Sequence, residues 1–188
     1  LAAGLTLKDI PCGKYGTLDK YVPDGDYVVI KFARWAFETF KGVEDKLGTQ
    51  MRAVGEVMSI GKTYKEAFQK AIRSLEIGRY GLGFAKDFHD KTKEELLVML
   101  REPTSERQFI MYEALRKGAT VEELYNLTKI KHYFIEQMKE LVEEEEALLE
   151  KKGETLDKET MEQAKKDGFS DRYLSKLLEV PEDDIRNT

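Results

Sequence analysis

The sequence predicts a mainly α-helical protein, with a bundle of short helices preceded by a small α+β segment of about two strands. Three observations support this fold class. Runs of β-branched and aromatic residues, typical of strands, occur before residue 76. Beyond residue 90, apolar residues recur at intervals of three and four, and helix-capping signals recur with them. This change of pattern indicates two parts, residues 1–76 and residues 77–188.

The first part is predicted to hold a loop, two strands and a helix. Residues 11–25 are rich in glycine and proline, which is typical of a loop. Residues 26–32 and 53–60 are rich in valine, isoleucine and aromatic residues, and the second run alternates as a half-buried strand does. A helix follows, because Thr63 and Glu66 have the spacing of a capping box.

The second part is predicted to be helical throughout. Capping-box spacing in residues 92–95 and 120–123 marks the start of two helices. A further helix follows Pro103 and ends near Gly118. The longest helix is predicted over residues 130–151, because its apolar residues form one continuous stripe.

Two short helices are predicted at the end of the chain. One is capped near Ser170, and the last begins at Pro181, a favoured first-turn residue. The glycines of residues 78–83 have neither the spacing nor the preceding strand of a dinucleotide-binding loop, so we interpret this stretch as a linker. The tail is therefore an all-α bundle with tight connections.

Composition limits the classes of function. Hydrophobic residues make up 41% of the 188 residues and charged residues 36%, which suits a protein with a real core and an ionic surface. The net charge of −5 argues against a nucleic-acid binder. The single cysteine, Cys12, allows no disulfide within the chain and fits a reducing cytoplasm. No apolar run is long enough to predict a membrane span, and the start lacks both a signal peptide and an initiator methionine, so we expect a piece of a longer chain.

Residues that could carry chemistry are few. His89 and His132 have no partner at metal-ligand spacing, and Cys12 has no neighbouring histidine, so neither a metal site nor a nucleophile is predicted. The four carboxylates of residues 143–146 fan out around a helix and predict a solvated face. Glu145 falls near the apolar stripe, and we expect it to pair with a lysine of a neighbouring helix or subunit.

Two segments resemble helix-turn-helix pairs, residues 118–131 and residues 168–186. In a DNA reader the second helix needs basic or amide side chains, but here it begins Pro-Glu-Asp-Asp at Pro181. We therefore interpret the resemblance as a common way of packing two short helices. A stand-alone helical nucleic-acid-binding or regulatory module is retained as the alternative function.

Residues 48–61, Gly-Thr-Gln-Met-Arg-Ala-Val-Gly-Glu-Val-Met-Ser-Ile-Gly, and the helix through residue 76 carry a specific resemblance. They resemble the carbamoyl-phosphate synthase large subunit just after its first ATP-grasp core. The preceding strand with Arg34 and Phe37-Glu-x-x-Phe40 matches too, and residues 124–130 and 169–186 resemble the family's helical oligomerisation domain. The match is poorer at residues 11–20 and 79–105, and Ala33 stands where the family usually has proline.

The resemblance implies a specific parent reaction. The family makes carbamoyl phosphate from bicarbonate, glutamine-derived ammonia and two ATP, for arginine and pyrimidine biosynthesis, with Mg²⁺ or Mn²⁺ and K⁺ as cofactors. Its Glu-x-Asn-Pro-Arg metal and phosphate motif is absent from this sequence. No catalytic, cofactor-binding or metal residue is therefore assigned, and the chain alone is expected to be inactive and to need no cofactor.

The expected role is structural. Residues 1–76 would be the tail of the carboxyphosphate-forming ATP-grasp unit, and residues 77–188 the helical oligomerisation domain. The implied partners are the remainder of the large subunit, the small glutaminase subunit and other large subunits, with no nucleic acid and no membrane. Because aromatic residues are enriched at interfaces, the candidate exposed contacts are Phe109, Tyr112, Tyr133 and Phe134, with a place in the core as the equal alternative for each.

Overall fold

A computed structural model of the chain describes residues 1–39, 42–84 and 88–187, without the side chain of residue 38. The two strands are β1 (Val28–Trp35) and β2 (Ala53–Gly61). The α-helices are α1 (Tyr64–Ser74), α2 (Lys93–Met99), α3 (Arg107–Arg116), α4 (Val121–Thr128), α5 (His132–Leu149), α6 (Lys158–Lys166), α7 (Asp171–Leu178) and α8 (Glu182–Asn187). Short 3₁₀ helices occupy Leu7–Asp9, Gly13–Tyr15, Leu18–Lys20 and Phe37–Thr39. The predicted fold class, mainly α with about two strands, is confirmed; residue 40 of the family resemblance lies outside the described residues.

The two strands form an antiparallel ribbon against α1. Val28 pairs with Gly61, and the register continues to Trp35 opposite Ala53, with an irregularity next to Trp35. The first strand therefore runs three residues further than the predicted 26–32. Gly61 is needed where it is, because a methyl group there would lie 2.7 Å from the backbone nitrogen of Ala67.

The predicted helix starts after Thr63, Thr92 and Thr120 are confirmed. Thr92 with Glu95, and Thr120 with Glu123, form complete capping boxes. At α1 the pattern differs. The Thr63 hydroxyl accepts from the backbone N–H of Glu66, but the Glu66 carboxylate accepts from the backbone N–H of Lys62, 2.7 Å away.

Helix α6 was not predicted from the sequence. Its nine residues are mostly charged, and Met161 and Ala164 are its buried residues. Two apolar residues are too few for a helical periodicity to be recognised in the sequence. The one usable signal was Asp157, whose side chain accepts from the backbone N–H of Thr160 at 2.9 Å.

The helical region contains an internal repeat. The unit formed by α3, α4 and the start of α5 recurs 50 positions later as α6, α7 and α8. Gly118 and Gly168 both follow the first helix with positive φ, 88° and 94°. Lys129 and Glu179 both end the second helix in the left-handed region, at 57° and 55°. The two helix-turn-helix-like segments are thus halves of two equivalent packing units.

One buried cluster joins the ribbon side of the chain to the helical side. Phe68 and Ile72 of α1 belong to the same core as Leu124, Ile135 and Leu174 of later helices. The described core therefore runs across the predicted boundary at residue 76. The domain division there stays a prediction.

Candidate functional site: uncovered faces around a closed core

The ribbon buries one face and leaves the other uncovered. On the inner face, Phe32 stacks on Phe68 of α1 with ring centroids 5.9 Å apart. The opposite side, here called the outer ribbon face, carries four exposed apolar residues, Val29, Val54, Met58 and Ile60, with the Lys31–Glu56 ion pair among them. Exposed apolar residues on a two-stranded ribbon with open edges are typical of a surface that another polypeptide covers.

A second uncovered surface lies where α1 meets the start of α5. Tyr64 lies 5.9 Å from the ring of Tyr133 and 5.5 Å from that of Phe134. Tyr133 and Phe134 are 54% and 41% exposed, and we call these three residues the aromatic patch. Burial, with a contribution from Tyr133, raises the pKa of Tyr64 to about 12, so the Tyr64 phenol is neutral at neutral pH.

A cavity of about 180 Å³ opens beside the aromatic patch. Met111, Ile130 and Met138 contribute apolar walls, and Arg107 lies at its edge. A cavity of this size accommodates one large apolar side chain. The aromatic patch therefore presents an exposed knob next to a hole, which is the arrangement of an interface hot spot.

The expectation that Phe109 and Tyr112 are exposed is wrong. Each is 2% exposed, because α3 lies at the centre of the bundle and buries every residue from 109 to 115. The Arg79 guanidinium lies 3.9 Å above the Phe109 ring and closes that side. Tyr133 and Phe134 are exposed as expected, and their role as contacts stays a prediction.

A buried carboxylate lies at the centre of the helical region. Glu145 of α5 is fully buried and accepts hydrogen bonds from the hydroxyls of Tyr112 and Tyr173, each at 2.6 Å. Its other oxygen pairs with the Arg116 guanidinium of α3. The predicted lysine partner is therefore wrong: the cation is an arginine of the same chain, whose planar group also reaches Glu146.

The glycine-rich stretch does more than link two parts. A methyl group on Gly81 would lie 2.7 Å from the ring of Tyr173, and one on Gly83 would overlap the Tyr173 hydroxyl and the Glu145 carboxylate. Burial, followed by the charge of Glu145, raises the pKa of Tyr173 well above its usual value. The phenol therefore stays protonated and donates to Glu145, and the backbone of Gly83 lies beside the phenol oxygen.

The carboxylates of residues 143–146 do not share one environment. The side chains of Glu143 and Glu146 are 63% and 50% exposed, as a solvated face requires. Glu145 is fully buried, and Glu144 is half-buried beside Asp167. The predicted solvated face is thus wrong for half of the run, because successive helical residues point about 100° apart.

Glu144 makes stability depend on pH near neutrality. Burial first, and then the carboxylate of Asp167, raise the pKa of Glu144 to about 7, whereas an unfolded glutamate titrates at about 4.3. The folded state thus holds this proton more tightly, so the stabilisation is complete below about pH 4 and is lost as the pH rises to about 7.

We expect the urea concentration at the unfolding midpoint of the wild type to decrease as the pH is raised from about 5 to about 8. The same midpoint should vary less with pH in Glu144→Gln. The exposed-site control Glu143→Gln should follow the wild type; equal slopes in all three proteins would contradict the assignment.

No constellation for metal or nucleophilic chemistry is formed by the described residues. Among residues 1–39, 42–84 and 88–187, no group of three or more His, Cys, Asp or Glu side chains could hold a metal ion. His132 stacks on Tyr125 at 4.2 Å, and His89 lies 3.6 Å from the buried Glu113 carboxylate. Cys12 is free and half-buried. Within the same described residues, no helix combines the length and the apolarity that crossing a membrane would need.

The fold and its surfaces define a class of protein: a helical association module with an attached strand ribbon. The family model for the carbamoyl-phosphate synthetase large chain, oligomerisation domain, matches residues 56–188. The chain is 45% identical over 99% of its length to the carbamoyl phosphate synthase large chain of Archaeoglobus fulgidus, and 41% identical over its full length to that of Pseudomonas aeruginosa. It is also 42% identical over 99% of its length to the N-terminal section of the large chain of Methanopyrus kandleri.

The chain belongs to the carbamoyl phosphate synthase large-chain family, as its resemblance predicted, and carries that family's oligomerisation domain. It spans 18% of the length of the Archaeoglobus relative and 35% of the Methanopyrus section. The alternative of a stand-alone nucleic-acid-binding or regulatory module finds no support in these similarities. The acidic first turn of α8, Glu182, Asp183 and Asp184, argues in addition against contact of this helix with DNA phosphates.

Proposed function

We propose that the chain is the scaffold segment of a carbamoyl phosphate synthase large chain, which connects neighbouring units and holds large chains together. The observation that carries this proposal is the combination of a closed helical core with two uncovered surfaces, the outer ribbon face and the aromatic patch. Uncovered apolar surface of this kind favours association.

The outer ribbon face is proposed to dock on the rest of the large chain. The family model begins at residue 56, inside β2, so β1 lies before the matched domain. Because β1 is hydrogen-bonded to β2 along its length, the segment before residue 56 is attached to the domain that the family model matches. Residues 1–76 are thereby proposed to be the tail of a carboxyphosphate-forming unit.

The chemistry is proposed to belong to the parent enzyme. That enzyme would be an ATP-dependent ligase making carbamoyl phosphate from bicarbonate, glutamine-derived ammonia and two ATP, for arginine and pyrimidine biosynthesis. It would use Mg²⁺ or Mn²⁺ and K⁺, act in the cytoplasm and take its ammonia from a small glutaminase subunit. The chain itself supplies no catalytic group in this proposal and needs neither nucleic acid nor membrane.

Self-association is proposed to use the aromatic patch. Tyr133 is an exposed knob and the adjacent 180 Å³ cavity is a hole, so one surface carries both halves of a contact. A surface that is complementary to itself is what a two-fold dimer requires. Aromatic residues also carry a large share of the binding free energy in such contacts.

Sedimentation velocity over a concentration series tests this role. We expect the wild type to associate, and Tyr133→Ser/Phe134→Ser to raise the dissociation constant by about a thousandfold, because aromatic anchors contribute about 2 kcal/mol each. The matched control, Met51→Ser/Met58→Ser, removes two exposed apolar residues from the ribbon side and should leave the constant unchanged. A wild type that stays monomeric throughout would refute self-association by this chain.

A further inference from the structure

Two cations of α7 share one aromatic ring. The Arg172 guanidinium lies 4.3 Å from the centre of the Tyr80 ring, and the Lys176 ammonium lies 4.4 Å from it. Tyr80 itself is half-buried and packs against the core, so the ring is a fixed platform. Both cationic side chains are exposed. We call these three residues the cation cluster.

The cation cluster lacks an internal counter-charge. Across residues 1–39, 42–84 and 88–187, neither Arg172 nor Lys176 forms an ion pair with a carboxylate, although most other cations of α6 to α8 do. Like charges four residues apart on a helix repel each other. Stacking on Tyr80 holds them together in spite of this repulsion, and it orders two flexible side chains before any partner arrives.

Complementary carboxylates stand on α5. Glu136 and Glu140 are exposed and lie four residues apart, which is the spacing of Arg172 and Lys176 on α7. Glu136 forms no ion pair among the described residues, and Glu140 shares Lys65 with Asp167. Both follow Tyr133 along the same exposed side of α5, so they are continuous with the aromatic patch.

We infer that the cation cluster of one chain docks on Glu136 and Glu140 of a second copy of the chain. The inference rests on the proposed self-association and assigns the two charged surfaces that set its orientation. Opposite charges at matched one-turn spacing fix register and raise the association rate, while the aromatic patch supplies apolar contact. An Arg and a Tyr in one preordered cluster are residue types favoured at interface hot spots.

A mixing experiment tests the inference. Arg172→Glu/Lys176→Glu and Glu136→Lys/Glu140→Lys are each expected to self-associate about tenfold or more weakly than the wild type, because each places like charges against each other. In an equimolar mixture, both contacts between the two variants pair opposite charges again. Native mass spectrometry should therefore show mixed complexes at concentrations where each variant alone is monomeric.

Two controls separate this inference from general charge effects and from the proposed function. Lys158→Glu/Lys166→Glu makes a similar charge change on α6 and should associate as the wild type does. Association that resists the Arg172 and Lys176 reversals, or variants that fail to recombine, would overturn the inference while self-association stands. A wild type without self-association would overturn both the inference and the proposed function.

Binding of a labelled single-stranded oligonucleotide is a separate test. Binding by the wild type but not by Arg172→Glu/Lys176→Glu would assign the cation cluster to nucleic acid instead and overturn the inference.

Discussion

Replacement of Arg116 by leucine is expected to lower the free energy of unfolding by about 3–5 kcal/mol. Arg116 pairs with Glu145, which is fully buried between Tyr112 and Tyr173. Without the guanidinium, the carboxylate stays in a low-dielectric core with two neutral phenols as its remaining partners. Breaking one side of a buried pair leaves a charge that the interior does not compensate. Urea unfolding followed by circular dichroism measures the loss.

A double variant shows whether the loss arises from the stranded charge. Arg116→Leu/Glu145→Leu removes both charges of this pair and should recover part of the stability, because apolar replacements of a buried pair are often close to neutral. The recovery is expected to be incomplete, since buried Glu113 also pairs with Arg116 at 3.3 Å and keeps Lys117 as its cationic neighbour. The exposed pair between Lys152 and Glu179 is the control, where Lys152→Leu should change stability by less than about 1 kcal/mol. A loss below about 1 kcal/mol for Arg116→Leu would contradict this prediction. It would show that the Glu145 carboxylate becomes solvated in the variant, because water enters the core or the surrounding helices move apart.

Helix starts were predictable from the sequence because their physics is local. Thr92 and Glu95 lie within one turn, so their spacing alone decides whether both capping hydrogen bonds form. The family was predictable for a related reason, since residues 48–76 form a continuous strand and helix that carry the resemblance. The cap of α6 at Asp157 was equally local, but the helix behind it has too few apolar residues to be noticed.

Burial of the aromatic residues was not predictable, because it depends on which helix becomes central. Phe109 and Tyr112 on α3 and Tyr133 and Phe134 on α5 are the same two residue types on predicted helices. Packing of α2 and α5 against α3 covers the first pair, whereas the second pair lies at the uncovered start of α5. Sequence periodicity identifies a helix's apolar residues, but for a helix apolar on several sides it does not tell which of them remain exposed.

The partner of Glu145 was not predictable for a similar reason. Arg116 lies 29 residues away and Tyr173 lies 28 residues away, on helices whose relative positions no local pattern fixes. Gly83 looked like part of a linker because nothing near it in sequence explains a requirement for glycine. The requirement comes from Tyr173 and Glu145, which approach its backbone only in the folded chain.

Substitution of Gly83 by alanine tests that requirement and is expected to lower the free energy of unfolding by about 3 kcal/mol, the upper end for overpacking a core. The added methyl group would overlap the Tyr173 hydroxyl and the Glu145 carboxylate, neither of which is free to withdraw. The hydroxyl is held by its hydrogen bond to Glu145, and the carboxylate is held by Arg116. Thermal and urea unfolding of the variant measure the loss.

A glycine in open surroundings and a double variant distinguish this clash from a general cost of replacing glycine. Gly55→Ala on β2 meets no atom within 4 Å and should change stability by less than about 1 kcal/mol. Tyr173→Phe removes one of the two overlapping groups, so Gly83→Ala should cost less in that background than in the wild type. If the effects of the two substitutions on the free energy of unfolding were instead additive, the methyl group and the phenol would not be in contact. That result would contradict the close packing of Tyr173 against Gly83. Non-additivity would establish that the segment after α1 is packed against the buried carboxylate, so that this segment adds to the core through which α1 joins the ribbon side of the chain to the helical scaffold.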